Sequence, residues 1–428
     1  MSEHMKPKIH YAWIVLLLVF IALLSSQGVR LSFGAFITPW EEDFDTSRSV
    51  ISLVAFISYI VFAISQPFVG KLVDTYGIRA IFTVSSLIIG ISMILTFFVT
   101  APWQLMILYG IIASIGFGGS SNVVGSIAIA NWFTKKKGFA LGLMSAGTAA
   151  GQLLLVPLAL LLNDQFGWKT TVLILGAFLT FIISPLVYFF IRTYPSQKGI
   201  GAYGDAEAVV TDPSSQPKSS QILSIFQLLK KKEFLFLMFP FFVCGITTTG
   251  LMDTHLIPFA QYCGFSPTVT GTAVSLLAGF NILGTVLSGY LADRWNSKHI
   301  LTFLYGFRAL TIILLLVIVN NVSLFGFVIS QSHLLILFAI SFGVVNFATV
   351  APTIKLATDY FKELSAGAVI GWLFLSHQVG SALGSLIPGV LFEVTGGYGI
   401  SFIASILLLI ISSGMCMLLP SSKPTVTS

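Results

Sequence analysis

From residue 11 onward the chain alternates long apolar runs with short polar breaks. A helix needs about 20 mostly apolar residues to cross the hydrocarbon core of a bilayer. Twelve runs meet that need: 11–38, 49–71, 79–100, 103–132, 138–162, 170–192, 234–261, 268–291, 299–319, 333–354, 366–391 and 398–419. Each predicts a membrane-crossing helix, numbered here as spans 1 to 12. The one long polar interruption is RTYPSQKGIGAYGDAEAVVTDPSSQPKSSQ, from Arg192 to Gln221. Its Gly, Pro and Ser content predicts a solvated linker. The residues from Ser224 to Lys232 predict a short amphipathic helix on the membrane surface. The expected fold class is an all-α polytopic membrane protein, with two pseudo-symmetric six-helix bundles over 1–191 and 233–428 and a linker over 192–232.

Composition agrees with the pattern. Of 428 residues, 56% are apolar and only 9% are charged, against about 25% charged in an average soluble domain. A bilayer is therefore the solvent for most of the chain. The net charge of +6 is explained by where the charges fall. If both termini and the linker are cytoplasmic, that side holds most of the lysines and arginines, including Lys135, Lys136, Lys137, Lys230, Lys231 and Lys232, and the other side holds only Arg48 and Lys169. This asymmetry predicts cytoplasmic termini in the inner membrane, and gives no reason to expect nucleic acid. The first run is too long for a cleaved leader and is expected to remain as a helix. Cys244, Cys263 and Cys416 are scattered without metal-ligand spacing. No nucleophile elbow, zinc motif or phosphate loop occurs, so neither enzyme activity nor a cofactor is expected.

The chain repeats itself. GKLVDTYGIR begins at Gly70 and GYLADRWNSK at Gly289, each following the second span of its half. NWFTKKKGFALG at Asn131 is matched by DYFKELSAGAVIG at Asp359. Two landmarks in the same order point to duplicated halves. The loop after span 2, its copy after span 8 and the six-plus-six layout resemble the major facilitator superfamily, over about the whole chain. Within it, YAWIVLLLVF from Tyr11, GVRLSFGAF from Gly28, NWFTKKKGFALGLMSAGTAAG from Asn131, THLIPFA from Thr254 and SHQVGSALG from Ser376 resemble the bacterial branch related to monocarboxylate porters and oxalate/formate antiporters. That resemblance implies a secondary transporter of a small organic anion, driven by protons or by exchange with a counter-substrate. It also implies a role for Arg30, which falls where the family carries a cation on span 1. The family's arginine on span 8 is replaced here by Thr285, and a carboxylate often found one turn earlier by Asn281. The oxalate-type lysine on span 11 is missing, and His377 and Gln378 stand on that helix. Efflux of amphipathic compounds is the alternative. The protein is expected to act as a monomer.

Charge at membrane depth is costly, at least about 2.5 kcal/mol per group, and tends to be functional. Arg30, Asp253 and Arg308 are the three cases. Arg30 lies roughly 28 Å along a helix from Tyr11, at 1.5 Å per residue, and Asp253 stands at a similar height on the pseudo-equivalent span 7. The two are expected to interact, directly or through substrate, and so to bias the exchange between outward and inward states. Arg308, on span 9, is expected to be structural, packing on span 8 or reaching the cytoplasmic loop. His255 lies about 200° around the helix from Asp253 and is a second coupling candidate. Asn122, Asn281, Asn346, His377 and Gln378 are expected to hydrogen-bond substrate. Asp74, Arg79 and Asp293 belong to the gating loops, with Arg79 a partner for Asp74. The glycines Gly142, Gly147 and Gly151 of span 5, and Gly380 and Gly384 of span 11, predict tight contacts with spans 8 and 2.

Overall fold

The computed structural model describes residues 10–204, 225–319, 330–361 and 366–420. Among them there is no sheet, and the helices reproduce the twelve expected spans. Spans 1 to 4 are Tyr11–Ala35, Arg48–Gln66, Thr75–Thr96 and Pro102–Trp132. Spans 5 and 6 form one helical stretch, Ala140–Phe190, that reverses at Gly167. Spans 7 to 12 are Lys232–Tyr262, Pro267–Ala292, Ser297–Val319, Gln331–Ala357, Val369–Thr395 and Gly399–Met417. The reversals at Gly77 and Gly167 have φ of 80° and 75°, a left-handed conformation that a Cβ disfavours.

Five spans depart from the uninterrupted helices the apolar runs predict, span 6 by a π-helical stretch, Phe178–Ile183. In span 1 the α-helix Tyr11–Leu31 gives way to a 3₁₀ turn, Ser32–Ala35, and a short helix, Ile37–Asp43. Span 4 breaks at Ser120 and Ser121 and restarts as Asn122–Trp132. Span 10 stops at Val345 and restarts as Val350–Tyr360. Span 7 carries a π-helical stretch, Ile246–Met252, directly before Asp253. Such stretches widen a helix locally and are frequent at functional sites. Spans 4 and 10 stand six apart, so the breaks occupy corresponding places in the duplicated halves, a recurring mark of transporter binding sites.

The small-residue faces of spans 5 and 11 find partners other than those expected. A Cβ on Gly147 would sit 2.8 Å from the Phe20 carbonyl oxygen, and one on Gly151 would run into the Leu24 carbonyl. Gly380 and Gly384 press in the same way on the backbone of Phe242 and Ile246. Span 5 therefore packs on span 1 and span 11 on span 7, within each half. The stripe signals close approach but carries no information about which helix approaches.

The start of the expected linker is exposed over residues 196–199, as a solvated segment should be, but it is pinned at Tyr203. Tyr203 N donates to Trp132 O at 2.8 Å, and Lys135 N donates to Tyr203 O at 3.0 Å. The Tyr203 ring sits 5.4 Å from Trp13 and 5.5 Å from His10. This aromatic nest holds residues 192–204 against the ends of spans 1 and 4. The rest of the linker, 205–224, lies outside the described residues. The expected surface helix is reduced to one turn, Ile225–Leu228, and span 7 already begins at Lys232.

The first six spans meet the last six at mid-depth and on the face opposite the chain ends, here the far face. There Thr38 Oγ1 donates to Gln261 Oε1 at 2.8 Å, Arg48 Nη1 to Tyr398 Oη at 3.1 Å, and Ser52 abuts Gly389. At mid-depth Tyr59 Oη donates to Thr249 O at 2.8 Å and Ser275 Oγ to Leu153 O at 3.3 Å. The halves are closed at the far face.

Candidate functional site

Arg30 lies in the last helical turn of span 1, half-buried at the level of the break in span 4. Its neighbour one turn back, Gln27, is 4% exposed. The Gln27 Nε2 donates to Phe117 O at 3.3 Å and Ser120 O at 2.6 Å, carbonyls left open where span 4 breaks. The Gln27 Oε1 accepts from Arg30 Nη1 at 3.3 Å. The guanidinium lies over Phe62 and Tyr59, 4.0 Å and 4.9 Å from their centroids, an attraction between a cation and the π faces. Tyr109 Oη donates to Arg30 O at 3.0 Å. The buried Arg30 Nη2 has no hydrogen-bond partner among the described residues.

Asp253 follows the π-helical stretch of span 7 and is 9% exposed. Its Oδ1 accepts from Gln152 Nε2 on span 5 at 3.0 Å, and its buried Oδ2 has no partner among the described residues. Arg30 and Asp253 form no ion pair. The ion pairs found among the described residues are Arg48 with Glu41 and Lys169 with Asp43. The direct pairing expected from the sequence is thus not made. Gln152 occupies one carboxylate oxygen, while Gln27 and the two rings hold the guanidinium back. What results is one unused donor and one unused acceptor, buried where the two halves meet.

Arg308 is fully buried, and its contacts differ from the expected ones. Its Nη2 donates to Val345 O at 2.5 Å and to Asn346 O, and its Nη1 to Cys244 Sγ at 3.2 Å. Tyr305 and Phe342 flank it. Val345 and Asn346 end the first segment of span 10, where a helix exposes carbonyls and the negative end of its dipole. Arg308 therefore caps the break in span 10 rather than packing on span 8 or a loop. It does for that break what Gln27 does for the break in span 4.

The neutral candidates divide. Asn281 Oδ1 accepts from Phe347 N at 3.1 Å and from Thr285 Oγ1 at 3.3 Å, so it braces the same break. Among the described residues, Asn346 is fully buried with both amide atoms unpartnered, and His377 lies against the Phe241 ring and beside the Cys244 thiol. Gln378 is half-buried, its Oε1 without a partner among the described residues. Asn122 is exposed at the restart of span 4. His255 faces away from Asp253 and is bonded to Tyr398 and to the Ser385 carbonyl. Arg79 lies over the Tyr188 ring. The side chains of Asp74 and Asp293 lie outside the described residues. Sequence reasoning missed Gln27, Tyr59, Phe62 and Gln152. The only signal for them was a neutral amide or ring inside an apolar run.

The sequence model of the Major Facilitator Superfamily matches residues 15–354. The chain belongs to that superfamily. It is a polytopic membrane transporter and not an enzyme. Among its relatives, the MFS-type transporter YcxA of Bacillus subtilis, itself described as uncharacterized, is 29% identical over 393 residues, covering 90% of each chain. Monocarboxylate transporter 12 of Homo sapiens is 23% identical over 414 residues, covering 92% of this chain and 77% of that one. In fold, the chain is similar to a bacterial homologue of the human lysosomal transporter Spinster, solved in an inward-facing, unoccupied conformation. The TM-score is 0.71 at 14% identity, over 96% of this chain and 97% of that one.

Proposed function

We propose that this transporter moves a small, monocarboxylate-like organic anion by alternating access, coupled to protons or to exchange. The observation that carries the reading is the buried pair of unused groups, Arg30 Nη2 and Asp253 Oδ2, at the contact between the halves. A carboxylate can accept from Arg30 and take the place of Asp253 as its counter-charge. A proton on Asp253 removes a like charge from the path of the arriving anion. Each event changes what holds the two halves together, and only such differential interaction shifts a conformational equilibrium. Asn122, Asn346, His377 and Gln378 supply neutral hydrogen-bonding groups for the remainder of the substrate. The match to monocarboxylate transporters, among them transporter 12, supports the substrate class.

In this reading residues 1–191 and 233–428 rock as two bodies joined by 192–232, in a monomer of the inner membrane. The chain ends are cytoplasmic, as the distribution of lysine and arginine favours, which makes the closed far face the outer one. Asp74, Arg79 and Asp293 serve the cytoplasmic gate.

The test is uptake of radiolabelled lactate, pyruvate and formate into proteoliposomes, with and without an inward proton gradient. Uptake of at least one, stimulated by the gradient or by the same anion trapped inside, is the expected result. No uptake of any of the three by folded protein would overturn the substrate class and favour efflux of larger amphipathic compounds.

A further inference from the structure

The far face, outer in the orientation proposed above, is closed by a chain of polar contacts that the transport site does not use. Glu41 lies in the last turn of the short helix Ile37–Asp43, and Arg48 opens span 2. The Arg48 Nε and Nη2 donate to the Glu41 carboxylate at 2.6 Å and 2.7 Å, a bidentate pair with the side chains 9% and 14% exposed. This geometry fixes the guanidinium as a lone charge–charge contact would not. The remaining nitrogen, Nη1, crosses to the other half and donates to Tyr398 Oη at 3.1 Å. The same guanidinium lies 4.2 Å from the centroid of the Phe392 ring of span 11.

Tyr398 is anchored in turn. The Ser385 carbonyl can only accept, so His255 Nε2, 2.7 Å away, carries the ring proton. His255 Nδ1 then accepts from the Tyr398 hydroxyl at 3.2 Å. The hydroxyl is thereby committed as donor to His255 and acceptor from Arg48. Burial pushes the Tyr398 phenol well above its ordinary range, so it stays a neutral hydroxyl beside the arginine. The groups acting on it are Arg48, Glu41 and, more weakly, Cys263.

We propose that Glu41, Arg48, Tyr398 and His255 form a latch that holds the outer mouth shut, with Arg48 as its bolt. Glu41 and Arg48 belong to the first half, and Tyr398, His255 and Phe392 to the second. Outward opening must therefore break the Arg48–Tyr398 bond and withdraw the guanidinium from Phe392, while the Glu41–Arg48 pair travels intact. Span 2 ties the latch to the transport site. Tyr59, which lies beneath Arg30 and bonds Thr249 of span 7, is 11 residues beyond Arg48, about 16 Å along the same helix. Movement of span 2 at its outer end is transmitted to the rings that hold Arg30. This gives His255 a role in gating, apart from Asp253 and apart from proton carriage.

The latch rests on alternating access but not on the identity of the substrate, and its test uses none. Spin labels are placed at the exposed positions Glu42→Cys and Val394→Cys, with Cys263 replaced by serine, in the full chain reconstituted in nanodiscs. Pulsed dipolar spectroscopy then reads the distance across the outer mouth. The parent is expected to show one dominant short distance. Glu41→Gln, which removes the bidentate partner, and Tyr398→Phe, which removes one hydroxyl and keeps the ring stacking, are each expected to add a longer-distance population, raising its share several-fold. The proposal falls if either variant, eluting as folded protein, keeps the single short distance of the parent. Failure of anion uptake alone would leave this result unaffected.

Discussion

Arg30→Gln is expected to weaken uptake of the transported anion by roughly ten- to a hundredfold in apparent affinity. Hydrogen bonds to charged groups contribute about 1.5–3 kcal/mol, and 1.4 kcal/mol is a tenfold change. Glutamine retains a donor but removes the charge that compensates a buried carboxylate. The fold should tolerate the change. Among the described residues the Arg30 side chain donates only to Gln27, and otherwise stacks on Phe62 and Tyr59. The two readouts are the concentration dependence of uptake and the thermal midpoint of the purified protein. A raised half-saturation concentration with a nearly unchanged midpoint is the expected result. Unchanged uptake would remove Arg30 from the site, and a collapsed midpoint would make it structural.

Arg308→Met should give the opposite pattern, in which stability falls first. Methionine fills the space but donates nothing, leaving the buried carbonyls of Val345 and Asn346 without their donor. An unsatisfied buried acceptor costs about 1–3 kcal/mol, and relief of the buried charge offsets part of the loss. A net destabilisation of about 2–4 kcal/mol is expected, seen as a lowered thermal midpoint and poor recovery from detergent. A normal midpoint together with lost uptake would show that Arg308 meets substrate instead of capping span 10.

The contrast between these two arginines shows what the sequence could and could not disclose. Both stand out because charge is rare in an apolar run, and the run pattern predicts the twelve spans and the loop reversals. Their different roles depend on breaks in spans 4 and 10, which the sequence presents only as GFGGSSN from Gly116 and VNFATVAP from Val345. Glycine, serine and threonine are ordinary in membrane helices, so neither stretch reads as an interruption. Gln27 and Gln152 escaped notice for a related reason. A neutral amide costs little to place in an apolar run, and only packing reveals that one bridges a broken helix to Arg30 while the other reaches across the two halves to Asp253. The glycines of spans 5 and 11 were legible as close-packing faces. Their partners, spans 1 and 7, were not, because periodicity describes one helix and not its neighbour. The network from Glu41 through Arg48 and Tyr398 to His255 joins residues up to 357 positions apart, a proximity that no local pattern encodes.

The coupling between Arg30 and Asp253 is tested most directly by Asp253→Asn in proteoliposomes. Asparagine mimics the protonated carboxyl and cannot release a proton. Gradient-driven accumulation of the anion should be lost, while one-for-one exchange of internal for external anion at equal pH persists. Accumulation driven by the proton gradient as strongly in the variant as in the parent would contradict the account.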